Sequence, residues 1–449
     1  MNRLYAGFGR VDITPALGTP IDGYFHERIS EGVLDPLEAD ALALRCGDST
    51  VVLISFDCCV PETPVLNACR KSVSEALSIP VEAIYIHATH THTGGDVDDP
   101  EKTENILMKE YSHAIVRRLT DAALLAVRDL KPARMGYGVG NAPGVAFVRR
   151  FIMKDGSIAT NPGVNNPNIV RPVGEVDERV NVLRFDQEEG NSLVLVNVGN
   201  HPDVVGGNLF SADWPGQLRA TVEKILPNSR CLFFNGAQGD INHVNVFPKG
   251  GFLNDTFNDF DDVSRGYGHA RYMGRVVAGG VLQAYDKVQY VDVENITYVN
   301  RVVQAASQMP TPEEIPEAIH INDLHKAGRD AELPYQGMML TTVVAEAGRM
   351  VALKDGPESF SLTLSAIKVG PVVFFGIPGE PFNGIGRALK ETEGFEMVLP
   401  TCITNGSEGY FPMQDCYDEG GYETRSSYYK AGIAEFIIEE GKKLLNELR

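Results

Sequence analysis

The chain has 449 residues, 43% of them hydrophobic, and sets 40 basic against 60 acidic side chains for a formal net charge of −20. That length and apolar content support one large or two ordinary globular domains. The negative charge repels phosphate backbones and anionic lipid head groups, which removes nucleic acid from the expected partners and says nothing about oligomeric state.

The N-terminus, "MNRLYAGFGRVDITP", reaches polar and charged residues at once and has no long apolar core of an export signal, so a cytoplasmic protein is expected. Seven cysteines, with Cys58 and Cys59 adjacent and the rest scattered, form neither a CxxC pair nor a disulfide framework, and reduced thiols are expected. No apolar stretch approaches the roughly 20 residues of a membrane-spanning helix. "GFGRVD" lacks the third glycine of a dinucleotide loop and no helix pattern follows before Pro15, which rules out a Rossmann site; "DITP" at Asp12 reads as a turn.

"ADALALRC" and "TVVLISFDCC" flank "GDS" and predict a hairpin. From Glu62 to Ile79 apolar residues recur at helical spacing and stop before Pro80, and "ENILMKEYSHAIVRRLTDAALLAVRDL" repeats the pattern. Later, "RVNVLRF" with "SLVLVNV", and "SLTLSAIKV" with "VVFFGI", read as further hairpins. The fold class is therefore α/β, with mixed β-sheets flanked by helices. Met309 to Tyr335 is proline-punctuated and charged, a helical excursion at the surface (about 309–336) with His320 and His325 solvated. Without repeats, low-complexity tracts or a linker-like break, residues 1–449 read as one compact unit.

The densest chemistry lies in "AIYIHATHTHTGGDVDD", residues 83–99. In an extended strand His90 and His92 point the same way, and His87 points opposite with Thr89 and Thr91. Such a pair at the carboxyl end of a buried strand can hold an ion. Four other apolar strands end on polar groups: "SLVLVNVGNHP" at Asn200 and His201, "CLFFNGAQGDINH" at Asp240, Asn242 and His243, "PVVFFGIPGEP" at Glu380, and "VLPTCITNGSEGY" at Tyr410. A plain strand-to-helix turn calls for Ser, Asp or Asn and has no need of His, Glu and Tyr. Imidazoles, a carboxylate and a phenol form a borderline donor set that suits Zn²⁺ better than Mg²⁺ or Ca²⁺, with the phenol binding as phenolate only if the cation drives off its proton. An open coordination position would then support hydrolysis.

These motifs resemble those of the neutral ceramidases. "ATHTHTGG" is similar to that family's "ATHTHSGPGG", "GFGRVDITP" to its opening "G-x-x-D-I-T-G-P", "NHPD" to "HPTS", "NGAQGDIN" to "N-x-GDVSPN", "IPGEPF" to "PGEFT" and "GSEGYFP" to "SYAGYVT", all in the family's order, from Gly7 to about Tyr422. The resemblance implies zinc held by His90, His201, Glu380 and Tyr410. It implies that His92 lines the site as a hydrogen-bonding or proton-transfer group and that Arg149 faces the substrate. Where the family has its active-site serine, this chain has Asn242, a candidate oxyanion donor, followed by His243, an imidazole for substrate or acid chemistry. The terminal "AGIAEFIIEEGKKLLNEL" reads as an amphipathic helix closing the catalytic unit, so the family's C-terminal immunoglobulin-like domain is not expected.

The resulting expectation is a zinc-dependent hydrolase of a non-peptide N-acyl amide, ceramide-like or a smaller soluble one. The alternatives are a metal-dependent esterase or phosphoesterase with a second ion on Asp96, Asp240 and His243, or a zinc-stabilised binding protein. Asp96, Asp98 and Asp99 read as a solvated acidic loop, and Asp57 as a partner that orients a histidine. "FNDFDD", Phe257 to Asp262, lacks the glycine and terminal Glu of a calcium loop. His113 and His269 read as packed or surface groups, and Trp214 as core.

Overall fold

The structure, a computed structural model, describes residues 3–248 and 265–449; "FNDFDD" lies outside the described residues. A nine-stranded sheet forms the centre, in the order Ser229–Asn235, Ser192–Val198, Arg179–Gln187, Lys131–Asn141, Leu4–Asp12, Glu38–Cys46, Ser49–Phe56 and Ile84–Ala88, with Gln289–Val291 paired beside Lys131–Asn141. Only the outermost pairs, at each end of that order, are parallel. The sheet curls until those outer strands meet: Asn235 N–H donates to His87 Nε2 at 2.9 Å, and the Ser55 hydroxyl donates to the Phe233 carbonyl. The same His87 ring reaches the Cys402 carbonyl through Nδ1 at 2.7 Å. His87 is thus a buried fastener between three strand ends, and burial pushes its pKa down to about 3, so it stays neutral.

The expected hairpins form at Glu38–Cys46 with Ser49–Phe56, at Arg179–Gln187 with Ser192–Val198, and at Ser359–Val369 with Val372–Gly376. The last belongs to a second sheet, ordered Ile296–Ala306, Ser359–Val369, Val372–Gly376 and Met397–Thr401. Its Ile367, Phe374 and Leu399 pack against Leu42, Leu53 and Phe234 of the first sheet in one continuous core. Helices Thr63–Leu77 and Ile106–Arg128 cover another face of the first sheet, and Asp213–Ile225 with Tyr267–Tyr285 cover a third region.

The glycines of "GFGRVD" have a packing reason. A Cβ on Gly7 would come within 2.1 Å of the Ala126 carbonyl oxygen, and one on Gly9 within 2.2 Å of that of Ala122. The Ile106–Arg128 helix therefore lies with its backbone directly on this strand, which only alternate glycines permit.

Residues 309–336 include the helix Ile315–Lys326, which packs with Gly337–Leu353 around Ala318, Ile321 and Leu324. His320 is exposed, but His325 is half-buried and bonded through Nδ1 to Asp330 at 2.9 Å, so it is not simply solvated. All seven cysteines are buried and free. Among the described residues no helix is long and apolar enough to cross a membrane.

Candidate metal centre

His90 does not reach the site by strand alternation. The Ile84–Ala88 strand stops two residues earlier, and His90 takes a left-handed backbone with φ of 72°, rare for a non-glycine residue. Its N–H is anchored on the Cys58 carbonyl at 2.8 Å, and the following turn returns His92 beside it. The two Nε2 atoms stand 3.4 Å apart.

His201 follows the end of Ser192–Val198, and its carbonyl accepts the indole N–H of the fully buried Trp214 at 3.2 Å. Trp214 is therefore a core residue that also fixes the site segment. Glu380 lies in a two-residue strand whose parallel partner carries Tyr410 in direct register. These separate segments meet: His90, His201 and Glu380 each present one ligand atom within 4.8 Å of the others, a grouping able to hold a metal ion.

The hydrogen bonds fix the tautomers. His90 Nδ1 donates to the Cys59 carbonyl at 3.1 Å, and His201 Nδ1 lies 2.9 and 2.8 Å from the carbonyls of Gln238 and Ile241. Backbone carbonyls accept only, so each ring must carry its proton on Nδ1 and turn an Nε2 lone pair inward. Both Nε2 atoms lie 3.2 Å from the same oxygen, Oε2 of Glu380. Gln238 Nε2 donates to that oxygen at 3.3 Å and Arg149 Nη1 lies 3.4 Å from His201 Nε2, and a cation or a proton among the three converging acceptors would satisfy the lone pairs that remain. Burial opposes the Glu380 charge, yet the imidazoles of His90 and His201 overcome it and hold that carboxyl well below the usual range. Burial also works against protonating His90, but the Glu380 charge raises its pKa; burial and then Arg149 lower that of His201.

The other expected site residues gather around this triad with distinct surroundings. Arg149 is buried, with Nε on Glu423 and Nη2 on the Gly239 carbonyl, both at 2.7 Å, leaving Nη1 3.4 Å from His201 Nε2. The Tyr410 phenol sits against Arg149, and its ring centroid is 5.6 Å from that of Tyr422. Burial, followed by the Glu380 charge, raises the Tyr410 pKa well above its ordinary value in spite of Arg149, so in the absence of a metal ion it is a neutral phenol. Asn242 donates one amide N–H to Asn161 Oδ1 at 2.8 Å and accepts from Val244 N–H at 3.0 Å, which leaves one N–H. His243 is buried, its ring 5.8 Å from that of His269.

Several expectations are corrected. Asp57 orients no histidine: its two oxygens bind Arg219 at 3.0 and 2.5 Å, making it half of a buried ion pair. Asp96, Asp240 and His243 do not form a common metal-ligating group among the described residues. Asp240 instead accepts the Asn383 N–H at 2.7 Å, and Asp96 is hydrogen-bonded to Asp98. That acidic loop is half-buried, and burial, with Asp22 and Asp98 adding, pushes the Asp96 pKa up to about 8.

Sequence reasoning passed over several neighbours. Cys59 forms a second potential ligand grouping with His90 and His92. Glu423, fully buried, holds Arg149 and lies 3.7 Å from Arg150. Asp203 faces His92, and Tyr24 and Arg265 in turn bind Asp203. Of these, Asp203 lies in "NHPD" and Cys59 ends "TVVLISFDCC", while Glu423, Tyr24 and Arg265 lie outside the sequence motifs.

No family model and no curated protein matches the chain. Among solved structures, its full length superimposes on a neutral ceramidase from Pseudomonas aeruginosa with a TM-score of 0.73 and 17% identity, covering 75% of that chain. A ceramidase complexed with C2 gives 0.73 and 17% as well, with 76% of that chain covered. At this identity the likeness establishes the fold alone, one that this chain shares with about three quarters of the neutral ceramidase chain.

Proposed function

We propose that the chain is a zinc-dependent hydrolase acting on a non-peptide N-acyl amide. The observation that carries this reading is the convergence of two Nε2 lone pairs and one carboxylate oxygen, with both imidazole tautomers fixed by backbone carbonyls. Two neutral imidazoles and a carboxylate suit a borderline cation, and Tyr410 is a fourth ligand candidate beside Glu380. A cation held there would supply acidified water and polarisation of a carbonyl.

The remaining work falls to the chain's own groups. His92 is nearly buried, and burial pushes its pKa down to about 3, so it rests neutral; its free nitrogen is placed to relay a proton from water to the leaving amine, and the low pKa means that it holds that proton weakly and releases it readily. Arg149, whose Nη1 lies 3.4 Å from His201 Nε2 and which is hydrogen-bonded to Tyr410, brings a positive charge to a developing oxyanion, and Asn242 brings one N–H left over from its bond to Asn161. His243 is a second acid candidate for the amine. Replacement of the motif's serine by Asn242 removes hydroxyl assistance from the scheme, leaving the proton transfers to imidazole.

The formal charge of −20 works against anionic membrane surfaces and favours a small soluble amide over a membrane sphingolipid. Elemental analysis of the purified protein, followed by a screen of N-acyl amines and esters with and without chelator, tests the proposal. One zinc per chain and chelator-sensitive amide cleavage are expected. Stoichiometric absence of metal after zinc loading, or turnover indifferent to chelator, overturns it.

A further inference from the structure

His92 has two nitrogens with different surroundings. Nε2 faces His90 Nε2 at 3.4 Å, on the side of the ligand triad. Nδ1 is buried without a hydrogen-bond partner, and Asp203 Oδ1 is 3.8 Å away. The ring has little freedom to turn elsewhere. Gly23 packs so closely that a Cβ there would stand 2.8 Å from both Cγ and Nδ1 of the imidazole. The main chain of His92 is held at both ends, its N–H on the Pro202 carbonyl at 3.0 Å and its carbonyl on Arg28 Nη2 at 2.6 Å.

Asp203 is itself held in place. Its Oδ1 accepts from the Tyr24 hydroxyl at 2.6 Å and from Arg265 Nη2 at 2.8 Å, while Arg265 also bonds the Asp203 carbonyl at 3.0 Å. Arg28 lies over the Tyr24 ring at 4.0 Å and completes the frame. The carboxylate therefore stays charged and fixed beside one nitrogen of a neutral imidazole. In the segment that resembles "HPTS" of the neutral ceramidases, this chain places Asp203 at the threonine position.

We propose that Asp203 is a positioning residue for His92: its carboxylate selects the Nδ1–H tautomer and aims the Nε2 lone pair at the metal centre. The inference rests on the proposed metal centre for part of its tautomer argument and on the proposed hydrolase for its catalytic consequence. If a cation occupies the His90 Nε2 lone pair, an Nε2–H proton on His92 has no acceptor there, whereas an Nδ1–H proton has Asp203. At 3.8 Å the pair is an electrostatic contact and not a hydrogen bond, and a fixed carboxylate at that distance favours the Nδ1–H dipole over an Nδ1 lone pair.

The test uses the whole chain labelled with ¹⁵N-histidine, with the His92 signals assigned by difference against His92→Gln, in metal-free and zinc-loaded protein. The Nδ1–H tautomer of His92 is expected in the wild type, changing to Nε2–H in Asp203→Ala. Asp203→Val keeps the outline of threonine without an acceptor and gives the same readout should the alanine variant fold poorly. Metal content is expected to stay at the wild-type level. On any amide found to be cleaved, kcat falls about 10–100-fold with KM little changed, and Asp203→Glu restores part of it. A wild-type Nε2–H tautomer, or a tautomer unmoved in both acceptor-free variants, overturns the proposal. If no substrate is cleaved by the wild type, the hydrolase reading fails while the tautomer result still decides the role of Asp203.

Discussion

Replacing Glu380 by alanine removes the carboxylate whose Oε2 lies 3.2 Å from both inward-facing imidazole nitrogens. In the metal-free protein that charge raises the His90 pKa in spite of burial. The resulting stabilisation is fully present below the unfolded value of about 6.5 and is lost as pH rises through the raised folded value. A cation competes with that same proton, so metal binding tightens as pH rises through the raised His90 value and releases protons to buffer. At a free zinc concentration of about 1,000 times Kd, binding contributes about 4.1 kcal/mol to folding. With roughly 2.1 cal/mol/K of unfolding entropy per residue, the 449-residue chain has about 0.9 kcal/mol/K, which converts this to a Tm rise of about 4 °C. Thermal scans with and without zinc, paired with metal analysis after gel filtration, are the assay. The wild type is expected to show the rise and Glu380→Ala neither the rise nor bound metal. A variant that keeps stoichiometric zinc and the full rise would refute the shared-oxygen geometry as the source of affinity.

Gly9→Ala puts a methyl group 2.2 Å from the Ala122 carbonyl oxygen and must displace the helix, with an expected loss of about 3 kcal/mol by denaturant titration. Glu423→Gln leaves Arg149 and Arg150 buried with weaker compensation, and a loss of about 3 kcal/mol is expected together with reduced amide cleavage; unchanged unfolding midpoints would deny its anchoring role. Asp98→Asn removes a like charge from Asp96, whose folded pKa of about 8 means that stability falls as pH climbs from the unfolded carboxyl value through 8. The variant should therefore gain more in Tm at pH 8.5 than at pH 5, and an equal gain at both would contradict the sign.

The local sequence carried much of the scaffold. Two-residue alternation and turn residues marked the hairpins at Glu38–Phe56 and Arg179–Val198, and helical spacing marked Thr63–Leu77 and Ile106–Arg128, because these depend on neighbours only a few positions away. Apolar runs ending on His201, Glu380 and the His90–His92 segment likewise announced a site beyond strand ends. Tertiary structure alone decided how those ends meet: the left-handed turn at His90, the sheet closure through His87, and the carbonyls that set each tautomer come from contacts spanning 31 to 315 positions of chain. Asp57 shows the same limit, since its partner Arg219 is 162 positions away and no periodicity encodes that pairing. Side-chain chemistry is written residue by residue, but a charge acquires its role from what burial places opposite it, and burial is a property of the whole folded chain.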